Sequence, residues 1–323
     1  ETSEIWGRDR RSATMALAGK GSKMAGKGRR LVFLLSPAKT VDFERGHPDL
    51  DTLPCNRTTL GKETDLLLKE LKTFSCRRIM GLMNVSKNIA DLNYERYQNF
   101  DELPERQAAI AFDGQAYSTL RAYDMSKDQL LWLNDHLRIL SGFYGLIRPL
   151  DSIKAYRLEM GTKMENARGK DLYDFWGSLV THQLLRDGAP EVKSEVKGKA
   201  EGEAGAGAGA LKAGDCIIDV ASKEYSKVLD FKKLQEAGVD IYEMKFPGAA
   251  VHAKMARGAI VRYAAEQQVT DPEQLKGFRG AKGDWRFEGE STDKKTGFRV
   301  FTFQRSSSSS SSSGPAAKKR KKT

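Results

Sequence analysis

LVFLLSPAKT, residues 31–40, decides the fold class. Leu31–Leu35 is a short continuous apolar run, the pattern of a buried strand. Pro37 has no backbone N–H and cannot continue a central ladder, so the chain turns there. Lys39 therefore stands on a loop at the carboxyl end of a buried strand, where α/β proteins commonly place ligand-binding groups. No GxxxxGK[ST] is present, so this is not a P-loop. From these residues alone, a ligand contact and a surface lysine both remain open for Lys39.

Outward from this strand, helical spacing recurs. Leu60, Leu67, Leu68, Leu71 and Phe74 predict a helix within residues 58–74. Ser75 can cap a short helix, CRRIMGLM, and Ser86 can cap KNIADLNYERY. Ser75–Tyr97 thus reads as helix, corner, helix, with Asn84 and Val85 at the corner and Lys87 just beyond. Such a corner can offer backbone N–H groups and a helix N-terminus to a phosphate. The glycines usual in DNA-binding hairpins are absent, so an ordinary helical corner fits as well. Ala108–Phe112 reads as a strand leading into the Asp113-Gly114 turn. Ser126–Gln129 is a capping box. It opens a helix with Leu130, Leu133, Leu137 and Leu140 on one face, and Gly142 stands where a C′ glycine belongs.

Residues 140–176 follow neither a helical nor a strand period. Aromatics alternate with Gly142, Gly145, Gly161 and Gly169, and Arg148, Arg157, Arg168 and Lys170 sit among them. The pattern predicts tightly specified loops, the usual location of binding groups on a rigid scaffold. Asp171–Leu185 then reads as one helix. Residues 188–214 are Gly/Ala/Lys/Glu low complexity, a flexible insert. Beyond it, strands are expected at Cys216–Ala221 and Ile241–Phe246, and a helix at Ala250–Gln267 with Lys254, Arg257 and Arg262 as a basic stripe. A short helix from Pro272 to Gly277 and an antiparallel pair, Trp285–Phe287 with Phe298–Phe303, complete the fold.

The formal charge of +11 belongs to the ends. Residues 1–30 hold eight Lys/Arg and three Asp/Glu, and residues 306–323 hold five Lys/Arg and no acid. The body, 31–305, is left with a net charge of +1, so basicity alone does not argue for nucleic-acid binding by the folded part. Residues 1–30 read as a disordered basic segment. An eight-serine run and the cluster Lys318, Lys319, Arg320, Lys321 and Lys322 read as a linker and a nuclear import signal. The expected location is cytoplasmic, nuclear or both, with an organelle transit remnant at residues 10–30 left open. No run reaches the roughly 18–20 apolar residues of a membrane span. Cys55, Cys76 and Cys216 are odd in number and widely spaced, which fits unpaired thiols in a reducing compartment. The four histidines are scattered, so no metal site and no cofactor are expected.

Seven motifs occur in the order found in the peroxide stress protein YaaA family: LVFLLSPAKT (31–40), AFDGQAY (111–117), LRILSGFYGLIRPLD (137–151), YRLEMG (156–161), GKDLYDFWG (169–177), DVASKEY (219–225) and AKMARG (253–258). The chain resembles that family over about residues 31–305. The tails and the insert look like eukaryotic additions to a largely bacterial family. The resemblance implies protection during hydrogen peroxide stress, a lowering of available iron that limits Fenton damage, and binding of double-stranded DNA. It implies a mixed α/β fold, one large domain with a central mixed sheet, a helix-hairpin-helix element and a basic cleft. By motif position, Lys39, Arg148, Arg157, Lys254 and Arg257 would converge on that cleft, with Asn84, Ser86 and Lys87 at the hairpin. No reaction comes with the resemblance. If the protein is an enzyme on DNA or a phosphorylated molecule, Lys39 is the candidate nucleophile, with Asp113, Asp151 or Glu159 as its acid partner. An iron-sequestering protein is the third reading, and a monomer is expected.

Overall fold

The computed structural model describes residues 29–186 and 210–306. Nearly all of the basic N-terminal segment, most of the insert and the C-terminal tail with its import cluster lie outside the described residues. The strands are β1 (Leu31–Leu35), β2 (Thr40–Val41), β3 (Arg106–Gln107), β4 (Phe112–Asp113), β5 (Leu137–Ser141), β6 (Gly145–Ile147), β7 (Ser152–Ile153), β8 (Cys216–Asp219), β9 (Asp240–Lys245), β10 (Trp285–Thr292) and β11 (Arg299–Arg305). Seven of them form one sheet in the order β10-β11-β9-β8-β1-β5-β6. The five inner strands are mutually parallel, and β10 and β6 close the edges antiparallel. Two small antiparallel pairs, β2 with β4 and β3 with β7, lie beside it. The fold is mixed α/β around a large central sheet.

Every residue of β1, β5 and β8 is buried, as strands covered on both faces must be. Each buried Leu, Ile or Phe contributes roughly 1.5–3 kcal/mol relative to exposure. The helix Lys127–His136 packs over β1 and β5, with Trp132 against Phe33. The helix Ala250–Gln267 crosses it and also contacts β1. Leu179–Arg186 packs on β6 and Phe231–Glu236 on β9, and these two helices meet. From β1 the sheet grows toward β5 on one side and toward β8 on the other. The carboxyl ends of β1 and β8 therefore form a topological switch point, the usual ligand position in open α/β sheets.

Several sequence expectations are corrected. The helix opened by Ser126 ends at His136, and Leu137 and Leu140 lie in β5. The leucines keep helical spacing across the junction, and burial of the whole strand, Arg138 and Ser141 included, leaves no alternation of apolar and polar residues to mark it. Gly142 is thus no helix cap. A Cβ on it would stand 2.4 Å from the Leu158 carbonyl oxygen, so its role is close backbone approach. Ala108–Ala111 is one helical turn, not a strand. The expected helix 171–185 is two, Leu172–Trp176 and Leu179–Arg186, broken where Gly177 takes φ +46°. Packing also resumes within the low-complexity stretch, where Leu211 is buried.

Candidate functional site

Three loops meet at the carboxyl ends of β1 and β8. The first leaves β1 through Ser36 and carries Lys39. Its course is held by the Tyr117 hydroxyl, which donates to Ser36 O at 3.1 Å. The second leaves β8 at Asp219. Its Ser222 N–H donates to Ser36 Oγ at 2.9 Å, tying the two strand exits together. The third is Tyr156–Gly161. Tyr97 donates its hydroxyl to Arg157 O at 2.5 Å, and Gly161 N–H donates to Glu224 Oε1 at 2.9 Å, so the segment is fixed at both ends.

Charges in this region come matched. Lys39 Nζ lies 2.6 Å from Glu159 Oε2, and Arg157 Nη2 lies 3.0 Å from Glu159 Oε1. Arg157 Nε is buried without a hydrogen-bond partner. Beside this group, Asp219 accepts both from the Ser226 hydroxyl, at 2.9 and 2.8 Å, and from Ala221 N–H at 2.9 Å. Desolvation pushes the Asp219 carboxyl up to about 6 against those hydrogen bonds and against the attraction of Arg257, while Glu243 adds to the rise. Arg257 is itself pulled below its ordinary value by burial, partly offset by Asp219 and Glu243. Tyr225 and Ser226 bridge the two groups. The Tyr225 phenol is raised by burial and by its neighbours Tyr156, Glu224 and Glu159, and Ser226 holds Asp219.

The sequence candidates divide. Lys39 and Arg157 are joined through Glu159. Arg257 lies within electrostatic reach of Asp219 at the carboxyl end of β8, and exposed Lys254 lies one turn earlier on its helix. Arg148 is elsewhere. It follows the antiparallel strand β6 and shares its surroundings with Arg138, Asp151 and Arg30, which immediately precedes β1. Its backbone N–H donates to Asp151 Oδ2 at 2.8 Å. Arg262 does not extend a solvated basic stripe. It is bound to Asp124 and Glu266 and to the carbonyls of Leu120 and Arg121.

At the corner after Cys76–Met83, Asn84 is left-handed at φ +48°. Ser75 caps the first helix by accepting from Arg78 N–H at 3.3 Å. Ser86 has N-cap backbone geometry but makes no side-chain cap bond, and Lys87 pairs with Asp91 at 2.6 Å. Of the three candidate acids, Glu159 is the one in contact with Lys39. Asp113 pairs with Arg45, and Asp151 lies with Arg148. Asp219, Ser226 and Ser36 were not singled out from sequence. An aspartate closing an apolar strand, as in CIID, is the signal that marks Asp219. Among the described residues no group of three or more His, Cys, Asp or Glu side chains could hold a metal ion, and no helix is long and apolar enough to cross a membrane.

This arrangement defines an α/β protein with paired cations and carboxylates at the switch point of a mixed sheet. The family profile for peroxide stress protein YaaA matches residues 31–291. A UPF0246 protein of Albidiferax ferrireducens is 37% identical over 262 residues, covering 77% of this chain and 90% of the relative. UPF0246 proteins of Bordetella avium and Neisseria gonorrhoeae are each 38% identical, over 261 and 260 residues, covering 77% of this chain and 91% and 90% of the relatives. The chain belongs to the peroxide stress protein YaaA family, which supports a role in stress protection.

Proposed function

We propose that this protein acts in peroxide stress by binding duplex DNA through the carboxyl edge of its sheet, limiting iron-dependent damage there. The observation that carries this reading is the gathering of Lys39 and Arg157 at one carboxylate, with Arg257 and Lys254 on the helix alongside. Such a surface contacts phosphates and reads few base edges. The corner at Asn84, Ser86 and Lys87 adds backbone donors, in the manner of a helix-hairpin-helix element. Nuclear import through Lys318–Lys322 would bring the protein to DNA. Direct iron sequestration has the least support, since the described residues offer no ligand cluster.

The test is anisotropy of a labelled duplex with the full chain, with Lys318–Lys322 replaced by glutamine so that the tail does not supply the binding. The expected log affinity falls with log salt by roughly 0.9 per phosphate neutralised. Lys39→Met with Lys254→Met, both exposed, weakens binding by about tenfold or more. Binding that is absent at low salt, or insensitive to it, refutes the reading.

The Lys39–Glu159 contact also favours a second reading, catalysis by the Lys39 amine on an aldehyde such as an abasic site, with Glu159 moving the proton. Borohydride would trap the imine formed with loss of water. Absence of trapping, or trapping unchanged in Lys39→Ala, rejects it.

A further inference from the structure

We propose that Glu159 is a built-in counter-ion, standing where a DNA phosphate binds and displaced when the duplex arrives. The inference rests on the duplex-binding reading above and names the residue that sets the threshold of that site.

The carboxylate is placed deliberately by the fold. Gly142 packs so closely on residues 158–160 that an added Cβ would meet Leu158 O at 2.4 Å, Glu159 C at 2.9 Å and Met160 N at 3.0 Å. Tyr97 holds Arg157 O on one side, and Glu224 holds Gly161 N–H on the other. The side chain then accepts from two cations at once, Lys39 at 2.6 Å and Arg157 at 3.0 Å. Carboxylate and phosphate oxygens suit the same donors. Arg157 offers Nη2 to the same carboxylate that Lys39 holds, and a guanidinium donor of this kind suits a phosphate oxygen equally. The Lys39 side chain is 57% exposed, so an incoming anion reaches the pair from that side.

A tethered carboxylate has a high effective concentration at the two cations. A lone small anion competes poorly with it. A phosphate already held by neighbouring contacts of the same duplex carries a high effective concentration of its own and displaces it. Glu159 therefore favours an extended polyanion over free phosphate.

With Lys318–Lys322 replaced by glutamine throughout, the experiment compares duplex affinity and salt slope for the otherwise wild-type chain, Glu159→Gln, Glu159→Asp and the double variant Lys39→Met/Glu159→Gln, with inorganic phosphate as competitor. Glu159→Gln is expected to tighten duplex binding roughly five- to twentyfold near 0.1 M salt and to steepen the slope by about one. It also lets inorganic phosphate compete at lower concentration. Glu159→Asp, which keeps the charge, stays near the wild type. Lys39→Met added to Glu159→Gln removes most of the gain. If Glu159→Gln folds and binds no tighter than the wild type, the counter-ion role is overturned while duplex binding stands. If neither protein binds at low salt, the duplex reading fails and this inference with it. If Glu159→Gln does not fold, Glu159 is a structural strut and not a displaceable ion, which also overturns the proposal.

Discussion

Gly258 lies against the carbonyl of Ala116, so closely that a Cβ on the glycine would stand 1.7 Å from the oxygen and 2.6 Å from Thr119 Oγ1. The Thr119 hydroxyl in turn donates to Met255 O at 2.6 Å. This contact sets the depth at which the helix Ala250–Gln267 sits and therefore how near Arg257 comes to Asp219 and Glu243. Backbone, not a flexible side chain, occupies the space, so the clash is relieved only by moving the helix. Gly258→Ala is expected to destabilise the fold by about 2 kcal/mol or more. Chemical denaturation reads this directly, and an unchanged midpoint would contradict the packing described.

A contrast between two glycines of the central loops tests the same reasoning. Gly142→Ala drives a methyl into the backbone of Leu158–Met160, and its own carbonyl is held by Trp176 Nε1 at 3.0 Å. Gly161→Ala meets only the Glu224 side chain, at 3.1 Å, which can give by the few tenths of an ångström needed and keep its hydrogen bond from Gly161 N–H. The first substitution should cost about 1–3 kcal/mol. The second should cost clearly less in the same denaturation series. Equal costs would mean that the backbone contact at Gly142 is not the constraint.

Two buried carboxylates predict how stability depends on pH. Desolvation raises Asp151 to about 7, opposed by the Arg148 N–H and the charges of Arg148 and Arg138. The same cause raises Asp219 to about 6. An unfolded aspartate titrates near ~3.9, so between about pH 4 and 7 the folded chain binds more protons at these sites than the unfolded chain. Their contribution is then most favourable at low pH and is lost as pH rises through the folded values. Asp151→Asn keeps an acceptor for Arg148 N–H without the charge. Relative to the wild type it should gain stability at pH 8, on the order of 4 kcal/mol, and the gain should vanish toward pH 4. Parallel denaturation at several pH values checks this, and a difference independent of pH would rule it out.

The residues explain why some of this was readable in the sequence and some was not. Lys39 could be placed because Leu31–Leu35 followed by Pro37 is a local signal: a buried strand, then an enforced turn. Helix Ala250–Gln267 was readable to its ends, but its arginines were not, because Arg262 pairs with Asp124, and Arg257 feels the charges of Asp219 and Glu243, only in the tertiary structure. Arg148 and Lys39 belong to motifs of one family, yet β6 turns back along β5 and carries Arg148 away from the carboxyl edge. Choosing Glu159 over Asp113 and Asp151 required knowing which loop crosses the end of β1, information that no local period holds. The switch from helix to strand at Leu137 was hidden because Leu130, Leu133, Leu137 and Leu140 keep helical spacing straight across the junction.

The proposed duplex contacts at Lys87 and Lys39 stand on separate elements and can be tested for independence. The helix Lys87–Gln98 begins at the corner carrying Lys87 and reaches the loop of Arg157 through Tyr97. Ten residues separate Lys87 from Tyr97, about 15 Å at 1.5 Å per residue. No described side chain pairs with both Lys87, which meets Asp91, and Lys39, which meets Glu159. The two lysines should therefore neutralise different phosphates. Lys39→Met and Lys87→Met are each expected to lower the salt slope by about 0.9. Their effects on binding free energy should add within about 0.5 kcal/mol in the double variant. A double variant no weaker than the worse single one would mean that the corner and the Lys39 site contend for one phosphate, and the surface drawn between them would have to be redrawn around a single contact.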